Sequence, residues 1–256
     1  MSASGNLQLQ FEAVWSITSI SNNERAREIV QSGAVQPLLS LLSSPSWEIK
    51  YQAAWAIAII ARSSEELRDQ LLNQGAMQEM INTVQRGLQE TVPVRLIRGG
   101  TFALSELCHG EPSPPLELVS PCLPLLKVLL DYPDDEVVID ALWAVSYFLG
   151  PPGISTAEVS PGRSFSSARV DAVIAAAILP DVVKFITFVE LSKALPAVRI
   201  IGNVTMGGSQ YIDMVLEMNI LPGYLVFFPV KIALFARRFF DPCPTLLVAH
   251  LSMFRF

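Results

Sequence analysis

YQAAWAIAIIA, residues 51–61, places one tryptophan inside an otherwise small and aliphatic helical phrase. Working outward, the same phrase returns as FEAVWSITSIS (11–21), GTFALSELC (100–108) and DALWAVSYFLG (140–150). The aromatic positions Trp15, Trp55, Phe102 and Trp143 follow one another at nearly even intervals. A recurrence of about 42 residues marks a solenoid, in which each unit buries its apolar faces only against its neighbours.

The segments between these phrases have a fixed order. A short polar helix ends in glycine, as in ERAREIVQSGAV (24–35) and ELRDQLLNQGAM (66–77). Gly33 and Gly75 stand one period apart and suit the left-handed position that stops a helix. Ala177 and Asn219 are their later counterparts, and Asn tolerates that conformation. A Leu-rich helix follows, QPLLSLLSS (36–44) or LPLLKVLLD (123–131), with Pro37 and Pro124 in the first turn. The long aromatic helix comes third, and Ser46 is placed to cap the one that Trp47 opens. Nothing alternates as a strand does over any length. Three helices per repeat of this length is the armadillo pattern, so the predicted fold is all-α: a right-handed armadillo solenoid of about five three-helix repeats.

Two stretches interrupt the period. Residues 154–167, ISTAEVSPGRSFSS, read as an inserted loop rich in Ser, Pro and Gly. Residues 223–256 form an irregular, Phe-rich tail with four Lys or Arg against one Asp, whereas the whole chain carries −6. The solenoid is therefore expected over 1–222. A solenoid needs a polar cap, and this tail is not one, so a misread exon boundary is one origin for it.

Composition narrows the function. Half of the 256 residues are hydrophobic and 16% are charged, enough for a continuous core. The acidic balance speaks against nucleic acid as partner and suits a basic peptide. The three cysteines make no disulfide or metal pattern and fit a reducing compartment. The N-terminus has no secretory signal, and Pro229 and Lys231 interrupt the best candidate span, 223–236, so no membrane partner is expected. Neither a nucleophile with its base, a phosphate loop nor a metal-ligand spacing is present. The reading is a binding protein without cofactor or metal, not an enzyme.

The phrases FEAVWSITSI (11–20), AVQPLLSLLSSP (34–45), SYFLGPP (146–152) and VRIIGNVTMGG (198–208) resemble importin-α, the armadillo adaptor of nuclear import, in order and at near-family spacing. The likeness runs over about residues 10–222 and corresponds to the second to sixth repeats. It implies recognition of basic nuclear localisation peptides on the concave face, shuttling between cytoplasm and nucleus, and handover to an importin-β-type carrier. Carrier binding is not expected of these residues, since the basic N-terminal segment that serves it in the family is absent.

The resemblance also implies site residues. Trp15 and Trp55 match tryptophans whose slots take lysine stems, with Gln52 as a polar neighbour. The asparagines that should follow are Ser19 and Ile59. In the next repeat Phe102 replaces tryptophan and Glu106 replaces asparagine. Ser63 stands where the family has an acid. Trp143 and Tyr147 match the following repeat, Glu136 and Asp140 match groove acids, and Arg199 with Asn203 match the pair after that. With three backbone clamps changed, at roughly 0.5–1.5 kcal/mol each, weakened binding is expected. The alternative is a degenerate armadillo scaffold for another protein partner.

Overall fold

The computed structural model describes residues 7–21, 25–150, 167–186 and 190–226. Most of the inserted segment and nearly all of the tail lie outside these residues. Among the described residues the regular structure is entirely helical.

Helix α1 (Leu7–Ile20) is a third helix. Three complete repeats follow. The first holds α2 (Ala26–Gln31), α3 (Val35–Leu41) and α4 (Trp47–Ser63). The second holds α5 (Glu65–Asn73), α6 (Ala76–Gln89) and α7 (Val94–Cys108). The third holds α8 (Leu116–Val119) with a 3-10 turn, α9 (Leu123–Leu129) and α10 (Asp135–Leu149). Helices α11 (Ser167–Ala175), α12 (Leu179–Ile186) and α13 (Leu191–Thr205) make the next repeat, and α14 (Ser209–Glu217) and α15 (Leu221–Val226) begin another.

The punctuation is local chemistry. Gly33 and Gly75 stop their helices at φ 82° and 91°; Ala177 and Asn219 hold the same left-handed turn at 51° and 54°. Ser46 accepts a hydrogen bond from the Ile49 amide and starts α4; Asp134 does the same for Val137 and α10. Pro124 lies in the first turn of α9, as its missing N–H allows.

The third helices pack side by side in the order α1, α4, α7, α10, α13. They form the inner layer, and one continuous apolar core lies behind them, with Ile57, Leu71, Leu104, Leu126 and Phe148 fully buried. Two buried arginines staple the turns between repeats. Arg68 of α5 donates to the carbonyls of His109 (2.6 Å) and Pro112 (3.0 Å) and pairs with Asp69. Arg169 of α11 donates to the carbonyls of Phe148 (2.7 Å) and Pro114. No described helix is long and apolar enough to cross a membrane.

Candidate peptide-binding face

A helix presents every third or fourth residue on one face, so the inward stripe of each third helix is short. On α4 it carries Tyr51, Trp55 and Ile59; on α7, Arg98, Phe102 and Glu106; on α10, Asp140, Trp143 and Tyr147; on α13, Arg199 and Asn203. Packing the helices in sequence turns these stripes into rows that cross the groove.

The rings do not stand apart. Trp55 stacks on Phe102 with centroids 5.0 Å apart, and Tyr51 on Trp55 at 6.2 Å. A lysine stem between two rings needs a gap of about 7 Å, two van der Waals contacts. The slot expected between Trp55 and Phe102 is therefore closed. Gly99 helps to close this wall: a Cβ there would meet the Tyr51 ring at 2.8 Å. Space opens beside the wall instead, in a depression of about 510 Å3 lined by Tyr51, Trp55, Phe102, Arg98, Glu136 and Asp140 among others.

Cations of the chain itself occupy two ring faces. Arg95 lies 4.6 Å over Tyr51, and Arg199 lies 5.1 Å over Trp143, which also stacks on Tyr147 at 5.5 Å. Trp15, by contrast, is 54% exposed on α1. Gln52 is half-buried next to Tyr51.

The acids differ from one another. Arg98 grips Asp134 with two bonds, 3.0 and 2.7 Å, and also reaches Glu136 at 2.8 Å. Glu136 is thus already paired, although it shares Arg98 with Asp134. Asp140 has neither ion pair nor hydrogen bond among the described residues. Burial, then the charges of Glu136 and Glu106, push its carboxyl up to about 7. Glu106 is 8% exposed, and burial lifts its carboxyl as well, with Arg62 partly offsetting this. Burial and the charges of Glu106 and Asp140 raise the Tyr147 hydroxyl, while Arg199 and Arg62 lower it.

Asn203, matched above to a peptide clamp, is placed differently. It is 2% exposed, and its amide nitrogen donates to the carbonyls of Ser146 (3.3 Å) and Gly150 (3.0 Å) at the end of α10. In this position its amide nitrogen joins α13 to α10. Ser19, Ile59 and Glu106, in the other three clamp positions, leave their rows without an amide.

Two features are not legible in the sequence pattern. Arg95 and Arg98 enter the groove, although they sit two turns and one turn before Phe102, a spacing that puts them on its face. Cys108 and Cys122 bring their sulfurs to 3.9 Å as buried free thiols. Their spacing matches no motif, so only the path of the turn after α7 brings them together.

Residues 22–62 match the Armadillo/beta-catenin-like repeat model. Importin subunit alpha-1b of Oryza sativa subsp. japonica is 33% identical over 84% of this chain and 37% of its own length. Importin subunit alpha-3 of Arabidopsis thaliana is 34% identical over 84% and 38%. Importin subunit alpha-B of Dictyostelium discoideum is 35% identical over 78% and 36%. The chain is an armadillo-repeat protein similar to importin-α subunits. It spans a little over a third of the length of the curated relatives it matches.

Solved structures support the armadillo fold of this chain. A designed armadillo repeat protein in complex with the peptide (KR)4 superposes with a TM-score of 0.72, at 22% identity over 86% of each chain. A second design gives 0.74 at 21% identity over 90% of each chain.

Proposed function

We propose that the concave face binds an extended basic peptide, and that the chain acts as an importin-α-like adaptor for nuclear localisation signals, weakened relative to its relatives. The observation that carries this reading is the depression beside the Tyr51–Trp55–Phe102 wall, which sets Asp140 against aromatic faces. Apolar rings accept the methylenes of a lysine or arginine, and their faces attract the cation by roughly 0.5–2 kcal/mol. A carboxylate at the rim completes the pairing. The weakening follows from Ser19 and Ile59 in the amide positions, from the closed Trp55–Phe102 slot and from Glu136 held by Arg98. Residence in cytoplasm and nucleus goes with this reading.

Titration of a lysine-rich octapeptide against the chain, followed by calorimetry, tests it. Binding in the micromolar range that Trp55→Ala weakens at least tenfold is the expected result. Silence from a stably folded chain rejects the adaptor. The second reading, a scaffold for another protein, is favoured by Arg95 and Arg199, which cover two of the ring faces a lysine would use. An acidic peptide that binds better than the basic one selects it.

A further inference from the structure

A second hollow opens one turn beyond Trp55 along α4, beside Ile59 of the inner stripe. It measures about 540 Å3 and lies between the end of α1, the start of α2 and the junction of α4 with α5. Its charge has one sign. Arg27 of α2 and Arg62 in the last turn of α4 contribute guanidinium groups, and Ser21, Ser63 and Ser64 contribute hydroxyls. Among the described residues no acidic side chain lines it. The depression beside the aromatic wall differs, since Glu136 and Asp140 stand in its lining.

Several donors here are unspent. The Arg62 guanidinium has neither hydrogen bond nor ion pair among the described residues, and its charge reaches Glu106 only at longer range. Ser64 accepts from the Leu67 amide and so keeps its own proton to give. Ser63 and Ser21 donate theirs to the carbonyls of Ile59 (2.7 Å) and Ile17 (2.9 Å). Two acids of the first turn of α5 stand near. Glu66 pairs with Arg27 at 2.8 Å in an exposed contact, which contributes little and is readily exchanged for another anion. Glu65 lies towards Gly110 in the turn after α7. An arginine in the last turn of a helix is ordinary by itself, because it complements the helix dipole. A second guanidinium and a free hydroxyl around the same hollow are not explained that way.

We infer that this hollow is an oxyanion pocket, which takes one phosphate or carboxylate carried by a peptide on the concave face. Guanidinium groups bind both oxyanions through paired N–H···O bonds. A lysine finds two cations there and no carboxylate. The inference rests on the basic-peptide reading and adds a polarity to it. The ligand sets its cations against the aromatic wall and Asp140, and an acidic or phosphorylated residue at the α1–α4 end. The chain as a whole opposes this: at a net charge of −6 it repels an anionic ligand. A gain in affinity from added negative charge therefore has to come from a local site.

A set of lysine–alanine octapeptides, each with one serine at a different position, is titrated against the full chain; the serine is then phosphorylated or replaced by glutamate. Phosphorylation is expected to tighten binding about fivefold in one register and to weaken it in the others. Arg62→Gln is expected to remove that gain and to leave the affinity of the unphosphorylated peptide unchanged. Arg27→Gln is expected to remove part of it. A glutamate peptide that gains as much assigns the pocket to carboxylates, and a gain from phosphoserine alone assigns it to phosphate. No gain in any register, or a gain that survives in Arg62→Gln, overturns the pocket while leaving basic-peptide binding in place. N-acetyl phosphoserine, followed by phosphorus NMR, reads the pocket without the peptide. If it binds through Arg62 to a chain that ignores every octapeptide, the pocket stands and the basic-peptide reading falls. Silence towards both probes overturns both.

Discussion

Asn203 and Gly150 are joined across two repeats: the amide of one donates to the carbonyl of the other at 3.0 Å, in full burial. An asparagine that the family resemblance assigns to ligand backbone here holds the protein's own backbone. Removing it leaves buried carbonyls without a donor. Asn203→Ala is expected to cost about 1–3 kcal/mol in urea unfolding and to leave peptide affinity unchanged. A loss of affinity at constant stability would return Asn203 to the groove.

Glu136 and Asp140 lie one turn apart, yet only one is available. Because Arg98 already pairs with Glu136, whose side chain is 64% exposed, Glu136→Gln is expected to change lysine-peptide affinity by less than about twofold. Asp140→Asn is the substitution that matters, and the contrast between the two is measured in one calorimetric series.

Asp140 also makes stability depend on pH. Its carboxyl titrates near 3.8 when exposed and at about 7 in the fold, so the native state holds the extra proton between those values. The contribution of Asp140 to stability therefore falls as pH rises from about 4 to 7, and then levels off. Asp140→Asn is expected to be more stable than the parent at pH 8, with the gain vanishing towards pH 4. Thermal melts across that range check the sign.

Ala177 holds a left-handed turn at φ 51° where two other repeats use glycine. An L side chain there is strained by roughly 1–2 kcal/mol. Ala177→Gly is expected to raise stability by about 0.5–1 kcal/mol after the added freedom of the unfolded chain is counted. Asn219→Gly should change little, since asparagine tolerates the turn. Gly75→Ala should destabilise. Urea unfolding of the three variants measures all of these.

Arg68 is fully buried and is held by two carbonyls as well as by Asp69. Arg68→Lys keeps the charge but cannot reproduce the planar fork. A loss of about 2–4 kcal/mol is expected in denaturant unfolding.

What could be read from the residues, and what could not, divides along a physical line. The period of the aromatic phrase, Gly33 and Gly75, and the cap at Ser46 are local facts, and each is found where the sequence puts it. The row to which a groove residue belongs is also local, because helical spacing assigns it. Depth within the row is not. Whether Trp55 stands off from Phe102 or lies against it depends on the separation of two helices, and Gly99 removes the side chain that would hold them apart. Asn203 turned inward because Gly150 offered it a carbonyl from the preceding repeat, and no pattern records that. Arg98 drew Glu136 out of play for a similar reason: its guanidinium had already met the cap of α10.

The turn after α7 is gripped from both sides. Arg68 reaches it from the preceding helix layer at His109 and Pro112, and Arg169 reaches it at Pro114. Curvature in a solenoid is the sum of small rotations at each junction. With this junction pinned, the spacing between the Phe102 and Trp143 rows acts as a fixed gauge, while the other joints set how far the arc opens. On the proposed reading, a peptide would be selected here by the distance between its side chains, because a pinned junction resists adjusting to a wrong one.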